Sequence, residues 1–208
     1  MSAHRRASLR AQRVRGVSLL ELMVVLAITG VLLVLATPSM AEWIRNQRIR
    51  GSAENLLNGL QKAREEAIRR NRPVSFWLVS DLGSGCTLSS NSGIWVISLN
   101  SPVSACNAAP SSTADPLLVA TSAPHEGPVV QASDVDGAAS TQARFDGYGR
   151  AMAVAQPLAQ ISVVDRVDAD KPDPATHAYR SLRIVVQGTG AIRMCDPRVT
   201  AAGDTRAC

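Results

Sequence analysis

The sequence predicts an α+β protein: a long N-terminal helix, its first half membrane-embedded, packed on a C-terminal antiparallel β-sheet domain. Three observations carry this prediction. An apolar run from Val17 to Ala36 stands directly behind a basic leader; at about twenty residues it is long enough to cross a bilayer as a helix. An amphipathic stretch continues from it to about Arg72. After Pro73 the 208-residue chain breaks into short β-like runs separated by Gly, Ser, Pro and Asn.

The leader, residues 1–16, carries five arginines (Arg5, Arg6, Arg10, Arg13 and Arg15) and no acid. The formal charge of +5 is therefore located there: without the leader's five, the 22 basic residues fall level with the 17 acids. The basic excess that remains lies on residues 38–72, and 73–208 is mildly acidic. Arginines ahead of an apolar run hold that end in the cytoplasm and put the chain beyond the run outside it. A cleaved secretory signal fits less well. Its apolar core would be shorter, and Ala36-Thr37-Pro38 is a poor small-residue cleavage site.

Glu21 is the only charge in the apolar run. An ionised side chain in hydrocarbon costs on the order of 2.5–3.5 kcal/mol or more, so such residues have a partner or a task. Gly16-Val17-Ser18-Leu19-Leu20-Glu21 resembles the prepilin peptidase site of type IV pilins and type II secretion pseudopilins. The resemblance implies cleavage between Gly16 and Val17, N-methylation of Val17, and a role for Glu21 in assembly. It also implies a type IV pilin-like fold. Val17 stands where the family usually has Phe; Pro38 sits where pilins commonly carry a proline. In this reading Glu21 pairs with the methylated amine of a neighbouring subunit, an attraction that strengthens at low dielectric. Glu is absent from the subunit that caps some tips in this family, so Glu21 puts the chain below a cap.

Gly30 and Pro38 are expected to interrupt and kink the helix, since proline removes a backbone hydrogen bond. Beyond them Ile49, Ala53, Leu56, Leu60, Ala63 and Ala67 form one helical stripe, which Leu57 and Ile68 widen. A long helix with no second helix to meet needs a sheet of its own chain under that stripe. Asn71-Arg72-Pro73 ends it. Leader 1–16, transmembrane half 17–37, amphipathic half 38–72 and periplasmic β-rich domain 73–208 are the expected divisions.

Candidate strands are Val74–Val79, Ile94–Leu99, Leu117–Thr121, Val129–Ala132, Ala143–Phe145, Ile161–Val164, Leu182–Val186 and Ala191–Met194. Residues 80–92 and 100–116 are expected loops, and Asp165–Thr176 reads as an exposed polar loop. No internal repeat is evident. The four cysteines, Cys86, Cys106, Cys195 and Cys208, all lie beyond the apolar run, and an even count in an exported domain reads as disulfides. Three pairings are possible; Cys86–Cys106 and Cys195–Cys208 are favoured because each closes a short loop, worth roughly 3 kcal/mol. No zinc-ligand spacing supports a metal site.

The C-terminal half carries a second resemblance. Arg144-Phe145-Asp146-Gly147-Tyr148-Gly149-Arg150, Ser181–Val186 and Gly190-Ala191-Ile192-Arg193-Met194-Cys195 resemble the end of GspH/FimT-type minor pilins. That group has a Phe-x-x-x-Gly turn, a late strand and a Gly-Arg-x-Arg-like hairpin before a cysteine; Ala191 replaces the first Arg here.

An enzyme is not expected. The three histidines are His4, His125 and His177, in the leader and predicted loops, and no phosphate-binding loop, His-Glu-x-x-His or nucleophile elbow is present. No cofactor is implied. The two resemblances together imply a minor pilin or pseudopilin that primes assembly of a type IV pilus or secretion pseudopilus near its tip. Its implied partners are other pilins, the prepilin peptidase, the inner-membrane assembly platform and the lipid bilayer. Its implied location is the bacterial inner membrane, then the filament. The alternative is a FimT-like DNA-binding minor pilin. Arg193, Arg198 and Arg206 would then contact phosphates, supported by Arg180 and Arg183 and opposed by Asp196 and Asp204.

Overall fold

The computed structural model describes residues 16–122 and 127–208, with the side chains of 34–39 outside the description. The leader before Gly16 and His125 therefore lie outside the described residues. The chain divides into two units, with the boundary after Ala41. One helix, α1 (Leu19–Arg70), contributes to both.

In the first unit, Ser18 caps the helix. Its hydroxyl oxygen accepts the Glu21 N–H at 3.1 Å and its carbonyl oxygen accepts the Leu22 N–H at 3.1 Å. Such a cap satisfies one of the N–H groups that a first helical turn leaves without a partner. The large apolar side chains beyond the cap are exposed, Leu19 at 77% and Leu26 at 63%. Thr29 turns its hydroxyl back onto the Val25 carbonyl at 2.7 Å, so it leaves no open donor on this surface. Among the described residues no helix is long and apolar enough to cross a membrane. The apolar run of the sequence continues to Ala36, into side chains outside the description. Helical backbone passes through Gly30 and Pro38, so neither divides the helix.

In the second unit, Ile49, Ala53, Leu56, Leu60, Ala63 and Ala67 are all fully buried in one core. Each buried Leu or Ile stabilises the unit by roughly 1.5–3 kcal/mol. Leu57 packs at the margin of that core, whereas Ile68 is 47% exposed and does not widen the buried stripe. The helix ends as its sequence requires. Asn71 adopts φ 48°, its N–H bonds to Ile68 O, and the Arg72 N–H bonds to Ala67 O. Those two bonds define a Schellman motif, with Asn in the left-handed position that glycine usually takes.

Two four-stranded antiparallel sheets face the helix stripe, rather than one. The first contains β1 (Val74–Val79), β2 (Ile94–Ser98), β3 (Leu118–Thr121) and β5 (Gln142–Phe145), in the order β3-β2-β1-β5. The second contains β4 (Val129–Ser133), β6 (Gln160–Val164), β7 (Leu182–Val186) and β8 (Ile192–Cys195), in the order β4-β6-β7-β8. All eight expected strands form, with ends displaced by at most a residue or so.

β1 is buried along its whole length because both its faces are covered. Val74, Phe76 and Leu78 join the helix core, while Trp77 and Val79 enter a second cluster with Val96, Leu118, Cys86 and Cys106. The Cys86–Cys106 bond pins the two loops that build this outer cluster. On the inner face, Gly59 leaves room for Trp95 and Phe76: a β-carbon there would lie 2.7 Å from the Trp95 ring. Trp95 in turn donates its Nε1–H to Asn55 Oδ1 at 2.8 Å, so the indole reaches the helix with its polar atom satisfied.

Residues 165–176 are not a simple exposed loop. Two 3-10 turns, Arg166–Asp168 and Pro174–Thr176, are organised around Asp168, which is 1% exposed. Its carboxylate accepts the Lys171 ammonium at 2.8 Å and the N–H groups of Ala178 and Tyr179 at 2.8 and 2.9 Å. Burial raises its pKa, but those three donors together outweigh it and hold the group down at about 2.

Candidate functional site

The sequence singles out two places: the N-terminal segment, and the arginine-bearing edge formed by β7, β8 and the tail. In the first, Gly16 and Val17 precede the helix and Val17 is 72% exposed. Nothing among the described residues lies within 4 Å of where a Gly16 side chain would begin, so this chain's own described packing does not require glycine there. Glu21 occupies the third helical position after the Ser18 cap, giving the Ser-x-x-Glu order of a capping box. A carboxylate in a first helical turn also opposes the positive end of the helix dipole. The same residue therefore supports the helix start and leaves an acidic side chain among exposed apolar neighbours.

The arginine-bearing edge is largely self-engaged. Arg193 donates to the main-chain oxygens of Ala207 and Cys208 at 3.3 and 2.7 Å, and the Cys195–Cys208 bond ties the same tail to β8. Arg206 forms an ion pair with Asp204 at 2.7 Å, and Arg180 one with Asp196 at 3.0 Å. The Arg206 partner lowers the Asp204 pKa to about 2 through hydrogen bonding and charge. Arg183 reaches the Ser162 hydroxyl at 3.4 Å, and Arg198 the Tyr179 carbonyl at 3.5 Å. The Asp196 N–H bonds to Arg206 O at 2.7 Å, adding a main-chain link between the tail and the end of β8. These arginines clamp a tail and do not form an open row of cations.

The turn after β5 docks on the end of the helix. Arg64 Nε donates to Gly149 O at 2.9 Å, and Gly147 rests against Asn71. The spacing of Phe145 and Gly149 was visible in the sequence; the Arg64 contact was not, because a surface-patterned helical arginine gives no sign of its partner. His177 sits in a loop with Nε2 3.1 Å from Lys171 O. Among the described residues no group of three or more His, Cys, Asp or Glu side chains is placed to hold a metal ion.

A family model described as type II transport protein GspH matches residues 52–190. The chain belongs to the GspH family. A second model, the prokaryotic N-terminal methylation motif, matches residues 11–37 of this GspH-family chain. Two crystal structures of the type IV minor pilin FimU of Pseudomonas aeruginosa PAO1 resemble it. One is 15% identical with a TM-score of 0.45, over 71% of this chain and 88% of that one. The other is 17% identical with a TM-score of 0.40, over 70% and 90%. No curated protein matches. The GspH match ends at Gly190, so β8, the Arg193 clamp and the second disulfide lie beyond it.

Proposed function

We propose that this GspH-family minor pilin or pseudopilin is cut between Gly16 and Val17, methylated at Val17, and built into a type IV pilus or secretion pseudopilus near its tip, where it primes assembly. The observation that carries this reading is an apolar helix segment attached to a unit whose core is already complete. The large apolar side chains from Leu19 to Leu32 are exposed, and the methylation motif coincides with them. A surface of that kind belongs in lipid or against other apolar helices. Lipid would hold it before assembly and the helices of neighbouring pilins afterwards. Glu21 would then select register by pairing with a neighbour's methylated amine. The prepilin peptidase and the inner-membrane assembly platform are the remaining proposed partners, with the N-terminus cytoplasmic and the second unit periplasmic.

The test is N-terminal mass analysis of membrane-extracted protein together with the Glu21→Ala variant. The expected result is a methylated Val17 terminus, and a variant that inserts normally but is depleted from sheared filaments. An intact leader on assembled protein, a cut after Ala36, or a variant that enters filaments as well as wild type would reject the reading.

A further inference from the structure

We infer that the cleft beside Arg48 in the second unit binds the phosphate of an anionic phospholipid headgroup. This rests on the reading that the chain is held in a membrane before assembly. The cleft, about 540 Å³, is lined by Arg45, Arg48, Asp165, Arg166 and Val167, with Ile49 at its base. Among the described residues its lining therefore carries three arginines and one carboxylate. That carboxylate is already committed: Asp165 accepts Arg45 at 3.3 Å and caps its own 3-10 turn through the Val167 N–H at 3.1 Å. Arg45 is further fixed by its position 4.8 Å over the Tyr179 ring. The guanidinium groups of Arg48 and Arg166 have no hydrogen-bond or ion-pair partner among the described residues. Two unpaired arginines lining one cleft can take a phosphate by paired N–H···O bonds.

A lipid phosphate fits better than a free one because of the side chains around the cleft. Val167, which lines the cleft next to Arg166, is 57% exposed, and Ile44, one helical turn before Arg48, is 43% exposed. Apolar side chains beside unpaired arginines suit the boundary between headgroups and acyl chains. In the sequence Trp43, Arg45 and Arg48 come soon after the apolar run that ends at Ala36. Nucleic acid would need a longer track of cations than this single cleft offers.

The experiment reconstitutes the full chain into vesicles of phosphatidylcholine mixed with phosphatidylglycerol and counts the lipids retained on the extracted protein by native mass spectrometry. Wild type is compared with the double variant Arg48→Gln/Arg166→Gln and with Lys62→Gln, a solvent-facing cation elsewhere on α1. Each arginine at an anionic surface is worth about fivefold, so the preference for phosphatidylglycerol should fall about 25-fold in the double variant. Lys62→Gln should leave it unchanged. Insertion with equal preference in wild type and double variant overturns the inference and leaves the membrane reading standing. Failure of wild type to enter vesicles overturns both. Displacement of the lipid by inorganic phosphate alone, or arginine-dependent binding of duplex DNA in its place, overturns the assignment to a lipid headgroup.

Discussion

The α-carbon of Gly190 rests on the main-chain oxygen of Gly149, so close that no side chain can be placed on Gly190. Both residues lie in the left-handed region, at φ +83° and +76°. The contact joins the β7–β8 turn to the turn after β5, whose Gly149 oxygen also accepts Arg64 from the helix. Gly190→Ala should cost about 3 kcal/mol or more, combining roughly 1–2 for left-handed backbone with 1–3 for overpacking. Gly203, at φ +85° with nothing within 4 Å, isolates the backbone contribution: Gly203→Ala should cost only about 1–2 kcal/mol. Urea midpoints measure both, and equal losses would refute the steric account.

That contact marks where sequence legibility stopped. The stripe from Ile49 to Ala67 was legible because a helix with one wet face repeats its apolar residues at a fixed period. The strands were legible because turn residues bracket runs such as Val74–Val79. The division of those strands between two sheets was not legible, since β-pairing partners are set by tertiary packing. Gly190 stood in the motif, but its reason to be glycine lies in a turn some forty residues earlier. Arg193, Arg198 and Arg206 were legible as cations and illegible as engaged ones, because their partners are mostly main-chain oxygens, which every residue carries.

Asp168 gives a pH prediction. Its pKa is held at about 2, below the ordinary carboxylate range. A lowered folded-state value means the stabilisation is complete above the ordinary range and is lost as pH falls from about 4 to 2. The linked contribution is about 2 kcal/mol. Asp168→Asn should therefore be less stable at neutral pH and show a smaller loss between about pH 6 and about pH 2. Glu66, Asp146 and Asp204 are also lowered, so some acid sensitivity should persist in the variant. Parallel stability curves for wild type and variant would remove Asp168 from the account.

The second disulfide closes only residues 195–208, so its loss should act locally. Cys195→Ser/Cys208→Ser should raise hydrogen exchange in β8 and the tail while the helix from Ile49 to Ala67 stays protected. The chain-entropy contribution at stake is roughly 3 kcal/mol. Arg193 still reaches the main-chain oxygens of Ala207 and Cys208 without the bridge, so the tail should loosen rather than leave. Exchange that rises equally in the helix would mean the clamp supports the whole core.

DNA binding at the β7–β8 edge should be weak or absent. Arg180 and Arg206 are ion-paired with acids, and Arg193 is occupied by the tail it holds. A phosphate would have to displace partners already in place. The measurement is duplex binding by residues 42–208, disulfides intact, across salt concentrations. Each arginine that neutralises a phosphate contributes nearly one to the salt slope. Arg193→Ala, Arg198→Ala and Arg206→Ala should therefore leave any residual slope almost unchanged. Arg45, Arg48 and Arg50 need their own substitutions, because a free fragment presents a helix surface that an assembled filament would cover. Binding that vanishes only when those helix arginines are changed would belong to the fragment. Salt-dependent micromolar binding that maps to Arg193 and Arg198 would instead establish this edge as a nucleic-acid surface. It would also mean that the tail clamp opens to admit the ligand.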